Sequence, residues 1–197
     1  MAENTSITPV CPPFEQALGG AFSHLPAVTQ RVHRPSPRIR FRGRADVDGP
    51  ETLAGRLLSA LFSLPAEARD VPVETTIELG ADGVEQWERR YPTRVMRSRI
   101  GFPRAQNRTV EEHFGPCRFT LKIIPEDIGL RLELVSGRIG PVPLPGWLMP
   151  RIQATERCDG DHHLFDVTVA LPGVGRLVRY RGWLDTGEGG QDDRPIP

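Results

Sequence analysis

Lysine is almost missing from this chain: Lys122 is the only one among 25 basic residues, and the rest are arginine. Such a bias reads as genomic base composition, not as a device for gripping phosphate. Net charge is missing too, because 25 acidic residues balance the 25 basic ones. A dedicated nucleic-acid binder held by counterion release needs a basic surplus, so no nucleic-acid partner is expected. Cysteine is sparse and odd in number (Cys11, Cys117, Cys158), which excludes the dense, even framework of a disulfide-stapled secreted domain. No CxxC pair occurs, so a structural zinc site has little support. No run of about 18 apolar residues occurs, which argues against a helical membrane span. The first residues lack a basic region followed by an apolar run, so no secretion signal is expected. The resulting expectation is a reduced, cytoplasmic protein.

What remains is enough for one domain. At 197 residues, 38% hydrophobic and 25% charged, the chain can bury a substantial core. Residues 1–12 and 186–197 are polar and rich in Pro, Gly or Asp, and are expected as flexible tails around a domain at 13–185. Neither an internal repeat nor a low-complexity linker interrupts that domain.

Two segments carry helical spacing. In the first, Phe14, Leu18, Phe22 and Leu25 recur at intervals of three and four, with Pro13 at a first helical position. Gly19 and Gly20 weaken it by about 1 kcal/mol each, and Pro26 restarts a short helix over 27–32. In the second, Leu53, Leu57, Leu58 and Leu61 share one face, and Pro65 stops the helix.

The remainder alternates in period two and predicts ten strands, from "RIRFRGRADV" to "GRLVRYRGWLD", separated by turns such as Ala81-Asp82-Gly83 and Asp159-Gly160-Asp161. Connections this short require antiparallel neighbours, and a meander this long must curl or close to protect its edges. The expected fold is therefore α+β but mainly β: a long antiparallel meander forming a strongly curved sheet or an up-and-down, lipocalin-like barrel. The two N-terminal helical segments pack on it. A sandwich is the alternative.

Candidate chemistry is thin. Trp87, Arg89 and Tyr91 fall on one face of a strand, which fits a cavity wall or a core edge from which arginine reaches water. Glu111 and His113 share a face and Glu112 takes the other. The meander brings one of the two glutamates toward Arg89, and an inward Arg–Glu pair is expected. The cluster Glu156 to Asp166 is dense in His, Cys and acids, but Asp159-Gly160 has hairpin chemistry and His162 and His163 point to opposite faces. No metal is expected there. Arg38, Arg40, Arg42 and Arg44 read as a solvated strand face. No GxSxG elbow occurs. "LPGVGR" (171–176) lies between two strands, so it is a hairpin turn, not a phosphate cradle at a helix N-terminus. The segment 140–150, "GPVPLPGWLMP", is a rim or lid loop, or a rigid loop packed on the core.

In their order, "FEQALGGAFSHLPAVTQRVH", "FRGRADV", "LLSALFSLP", "WERRY", "EEHFG", "PLPGWLMP" and "FDVTVALPGVGRLVRYRGWL" resemble an uncharacterised bacterial family, domain of unknown function 4166. The matching positions are Trp87, Arg89, Ser98, Glu111 or Glu112, Pro143, Pro145, Pro150, Tyr180 and Gly182. The resemblance implies segment boundaries and no established activity or cofactor. Three function classes follow. The first is a module binding an apolar or lipid-like small molecule in a β-sheet cavity, with Trp87, Arg89, Tyr91, Ser98, Glu111, Glu112 and Tyr180 as its site. The second is an isomerase or hydrolase using that pocket with Glu112 or His113 as base. The third is a structural domain without a ligand.

Overall fold

The computed structural model describes residues 10–103 and 108–187. The expected tails lie mostly outside this range. Where the ends are described they are tied down: Pro12 and Pro13 are buried, and Thr186 donates from its backbone N–H to the Asp161 carbonyl at 3.0 Å.

Eleven strands form one antiparallel sheet. They are β1 (Arg38–Asp48), β2 (Ala68–Leu79), β3 (Glu85–Arg90), β4 (Val95–Gly101), β5 (Thr109–Phe114) and β6 (Cys117–Glu126). Then follow β7 (Gly129–Ile139), the two-residue β8 (Val142–Pro143), β9 (Arg151–Asp159), β10 (His162–Leu171) and β11 (Gly175–Asp185). Each strand pairs with its predecessor in the chain except β9, which skips β8 and pairs with β7. The β1–β11 pairing closes the ring, so β1–β7 and β9–β11 make a ten-stranded up-and-down barrel. These ten are the strands that the alternation predicts. Closure removes the free edges that a ten-strand meander otherwise exposes.

The alternation sorts side chains as a barrel requires. On β1, Ile39, Phe41, Ala45 and Val47 are buried in the interior, while Arg38, Arg40, Arg42 and Arg44 face out. Outside, Arg40 and Arg42 meet Glu74 of β2, and Arg44 pairs with Asp70. At the closing seam, Gly43 and Gly182 sit where backbone meets backbone. A Cβ on Gly43 would lie 1.7 Å from the Trp183 carbonyl oxygen, and one on Gly182 2.1 Å from that of Arg44. Any side chain at either position would push β1 and β11 apart.

One end of the barrel is plugged by α1 (Pro13–Leu18), a 3-10 turn (Gly19–His24) and α2 (Ala27–Val32). The expected continuous first helix breaks at Gly19, whose φ of +53° only glycine adopts cheaply. The predicted stripe survives the break: Phe14, Leu18, Phe22 and Leu25 are all buried. The other end carries α3 (Leu53–Leu61), between β1 and β2. Thr52 caps it by accepting from the Gly55 N–H at 3.0 Å. Here the predicted packing is reversed. Gly55 and Ser59 face the barrel with Leu58, whereas Leu53, Leu57 and Leu61 are each about three-quarters exposed (76%, 75% and 75%). The leucines do form one stripe, opposite Gly55, Ser59 and Arg56, but periodicity names a stripe without saying which way it turns.

A buried polar cluster inside the barrel

The plug delivers the first member of the site. His33 directly follows α2, donates its backbone N–H to the Thr29 carbonyl at 3.2 Å, and is fully buried. Phe14 stacks on its imidazole with ring centroids 3.8 Å apart. Its Nε2 lies 2.6 Å from Oε2 of Glu156, which β9 points inward. On the adjacent β10, His163 brings its own Nε2 to 3.5 Å from the same oxygen. One carboxylate oxygen therefore serves two imidazoles that meet edge-on at 6.4 Å between centroids.

From the opposite wall, β3 contributes Glu85, Trp87 and Arg89. Trp87 donates its indole N–H to Glu85 Oε2 at 2.8 Å, and the Arg89 guanidinium lies over the Trp87 ring at 4.6 Å. Arg89 also donates to Ser98 Oγ of β4 at 3.5 Å, a long contact. Thr75, directly across from Arg89 on β2, is buried as well.

Burial opposes ionisation of Glu156, but the charge and hydrogen bond of His33, aided by His163 and Arg89, overcome it and hold the carboxyl at about 2. Glu85 takes the opposite course. Burial raises it to about 7, only partly offset by His33 and the Trp87 bond. Burial also lowers His163, against the pull of Glu156, and so favours the neutral imidazole. It drives the Tyr91 phenol upward and Tyr180 to about 12, so both stay protonated donors. Two neighbouring carboxyls are thus held in different protonation states by their surroundings.

The cluster opens onto a small interior space of about 40 Å³. Its polar lining is Thr75, Arg89, Tyr91, Glu156, His163 and Tyr180, with Trp87, Phe165 and aliphatic side chains completing the wall. Two of the lining residues have a buried polar atom without a hydrogen-bond partner, His163 its Nδ1 and Tyr91 its Oη. Glu85 Oε1 and His33 Nδ1 are unpartnered close by.

Of the residues singled out from the sequence, Trp87, Arg89, Tyr91 and Tyr180 line this space, and Ser98 stands behind Arg89. Glu112 shares the inward face of β5 with Val110, and its charge raises the Tyr180 phenol. Glu111 faces outward, where it meets His113 at 2.8 Å and Arg118 at 3.6 Å. Neither glutamate forms the expected pair with Arg89; the carboxylate that faces Arg89 across the barrel is Glu156. His113 is likewise outside, beside Glu111, and has no part in the interior chemistry. The sequence reading missed His33, Glu85, Glu156 and His163 as site residues. Their signal is an acid or imidazole in register with apolar inward positions, as at Glu156 two residues after buried Ala154. No group of three or more His, Cys, Asp or Glu side chains arranged to hold a metal ion occurs among the described residues.

Among solved structures, the chain resembles the crystal structure of Rv2717c from M. tuberculosis at 12% identity and a TM-score of 0.43. That match covers 83% of this chain and 99% of the other. No curated protein matches. The family model described as "Domain of unknown function (DUF4166)" matches residues 25–184. That span begins after α1 and the 3-10 turn, runs from α2 through all ten barrel strands as far as Leu184, and takes in every member of the interior cluster from His33 to Tyr180; the chain belongs to this family.

Proposed function

We propose that the barrel is a receptor for a small molecule bound at the interior cluster, with Arg89, Tyr91, Glu156 and His163 making the polar contacts. One observation carries this reading: His163 and Tyr91 line the same small interior space, and each has a buried, unpartnered polar atom, Nδ1 and Oη. A buried donor or acceptor left unsatisfied costs about 1–3 kcal/mol, so a fold that keeps two of them around one cavity is shaped for something that satisfies both. The volume narrows the ligand further than the sequence does. About 40 Å³ is room for roughly three waters at ~10–15 Å³ each, so it takes a molecule of a few heavy atoms or the polar head of a larger one. A whole lipid-like chain exceeds it.

Native mass spectrometry of the purified protein tests the reading. The expected result is a retained small mass that Arg89→Ala loses. Protein that carries nothing, and shows no ligand-observed NMR response to a panel of small polar fragments, would overturn it. A second reading, proton transfer on the bound molecule, is favoured by His163: a buried imidazole biased toward neutrality, with Nδ1 unpartnered and the residue lining the cavity, is a candidate general base. It replaces Glu112 and His113 in that role.

A further inference from the structure

The end of the barrel away from the plug has a surface that its core does not explain. All strand directions agree that five connections meet there: α3 with its flanks, 91–94, 115–116, 140–150 and 172–174. On α3, Leu53, Leu57 and Leu61 point away from the barrel. Across the rim, Val142 is 63% exposed and Trp147 73%. The two apolar stretches are joined. Phe62, just after α3, stacks on Phe114 at 6.3 Å, and the adjoining turn residue Pro116 accepts from the Gly140 N–H at 2.9 Å. Monomeric proteins seldom leave large apolar side chains grouped in this way without a partner.

The charges around this patch say which partner. Connections 91–94, 115–116, 140–150 and 172–174 contain no Asp or Glu, and neither does α3 itself; its flanks carry two acids, Glu51, which pairs with Arg176 at 3.3 Å, and Glu67. Arg56, Arg94, Arg138 and Arg151 are exposed here and have no carboxylate partner among the described residues. Elsewhere on the barrel surface arginines are typically neutralised: Arg44 by Asp70, Arg131 by Glu126 and Glu133, Arg179 by Asp166. Projecting leucines and an exposed tryptophan ringed by uncompensated arginines are the complement of an anionic lipid interface. There apolar side chains enter the headgroup boundary and cations meet the phosphates.

We propose that this end of the barrel docks on the surface of an anionic bilayer. Leu53, Leu57, Leu61 and Trp147 enter the interface, and Arg56, Arg94, Arg138 and Arg151 lie at the headgroups. The contact is peripheral, since no helix among the described residues is long and apolar enough to cross a membrane. It is independent of the interior ligand, because the variants that test it lie on the outer surface.

The test is co-sedimentation of the full chain with phosphatidylcholine vesicles, with and without phosphatidylglycerol, at low and high salt. Binding is expected only with phosphatidylglycerol, and salt weakens it. Arg56→Ala should lower the affinity about fivefold, and Leu57→Glu about tenfold or more. Both side chains are exposed, and circular dichroism checks that the variants stay folded. Vesicles should also blue-shift the tryptophan emission in the native chain and not in Trp147→Phe. No binding to either vesicle, or equal binding by Leu57→Glu, overturns the proposal. A concentration-dependent dimer that Leu57→Glu dissolves assigns the face to a second copy and overturns it as well.

Discussion

The two helices that sit at opposite ends of the barrel are both short and both rich in apolar residues, yet they do opposite things. α2 ends inside the molecule, with Val32 and His33 fully buried and Phe14 stacked against the imidazole. α3 lies on the rim, touches the barrel through Gly55, Leu58 and Ser59, and turns three leucines to the outside. Ser59 donates to the Leu177 carbonyl at 2.9 Å and Thr52 to that of Val174 at 2.8 Å, so α3 is held largely by polar contacts to β11 and its preceding turn. The plug is held mainly by apolar packing around the buried His33–Glu156 bond, with Arg31 donating to the Thr186 carbonyl and the Ala17 carbonyl accepting from the Arg108 N–H at 3.0 Å. An apolar helix is therefore not by itself a core helix; the residues that face the neighbouring strand decide.

That contrast makes graded predictions. Phe14→Ala removes a wholly buried ring from the plug and should cost about 3–5 kcal/mol in urea denaturation. A loss under about 1 kcal/mol would mean that the plug is not integral to the core. Next in size is the buried acid beneath the plug. Glu85 is raised to about 7 in the folded protein. The folded state therefore binds more protons than the unfolded one, and stability falls as pH rises from the ordinary glutamate range through about 7. Glu85→Gln should erase this slope, a difference on the order of 3 kcal/mol between pH 5 and pH 8. An unchanged pH–stability curve would show that Glu85 is not the group responsible. Leu57→Ala on the rim should change stability by no more than about 0.5 kcal/mol, the usual bound for an exposed position. A larger loss would place that leucine in the core after all.

The ten strands were legible because each keeps a strict period of two, with turn residues between, and short connections leave only antiparallel neighbours. Trp87, Arg89 and Tyr91 were legible for the same reason: one strand carries them to one face. The cluster they belong to was not. Its members stand at 33, 85, 89, 156 and 163, and they meet only because the sheet closes and sets β3 opposite β9. Local pattern carries no record of which wall faces which. Arg89 accordingly invited a partner from the nearby glutamates at 111 and 112, whereas closure faces it with Glu156, 67 positions along the chain. The direction of α3 was hidden differently. Its leucine stripe is plain in the sequence, yet it turns outward, and the small residues Gly55 and Ser59 on the opposite side are the ones buried against the barrel.

The bond from His33 to Glu156 joins residues 123 positions apart. Loop-closure entropy must be met before so distant a contact contributes anything, which sets its place in time as well as in space. On that ground the pair is expected to form late, along with the β1–β11 seam, whose partners Arg42 and Asp185 lie farther apart still. Glu156→Gln should therefore steepen escape from the native state and leave the approach to it nearly untouched: in a chevron experiment the unfolding rate rises while the refolding rate holds.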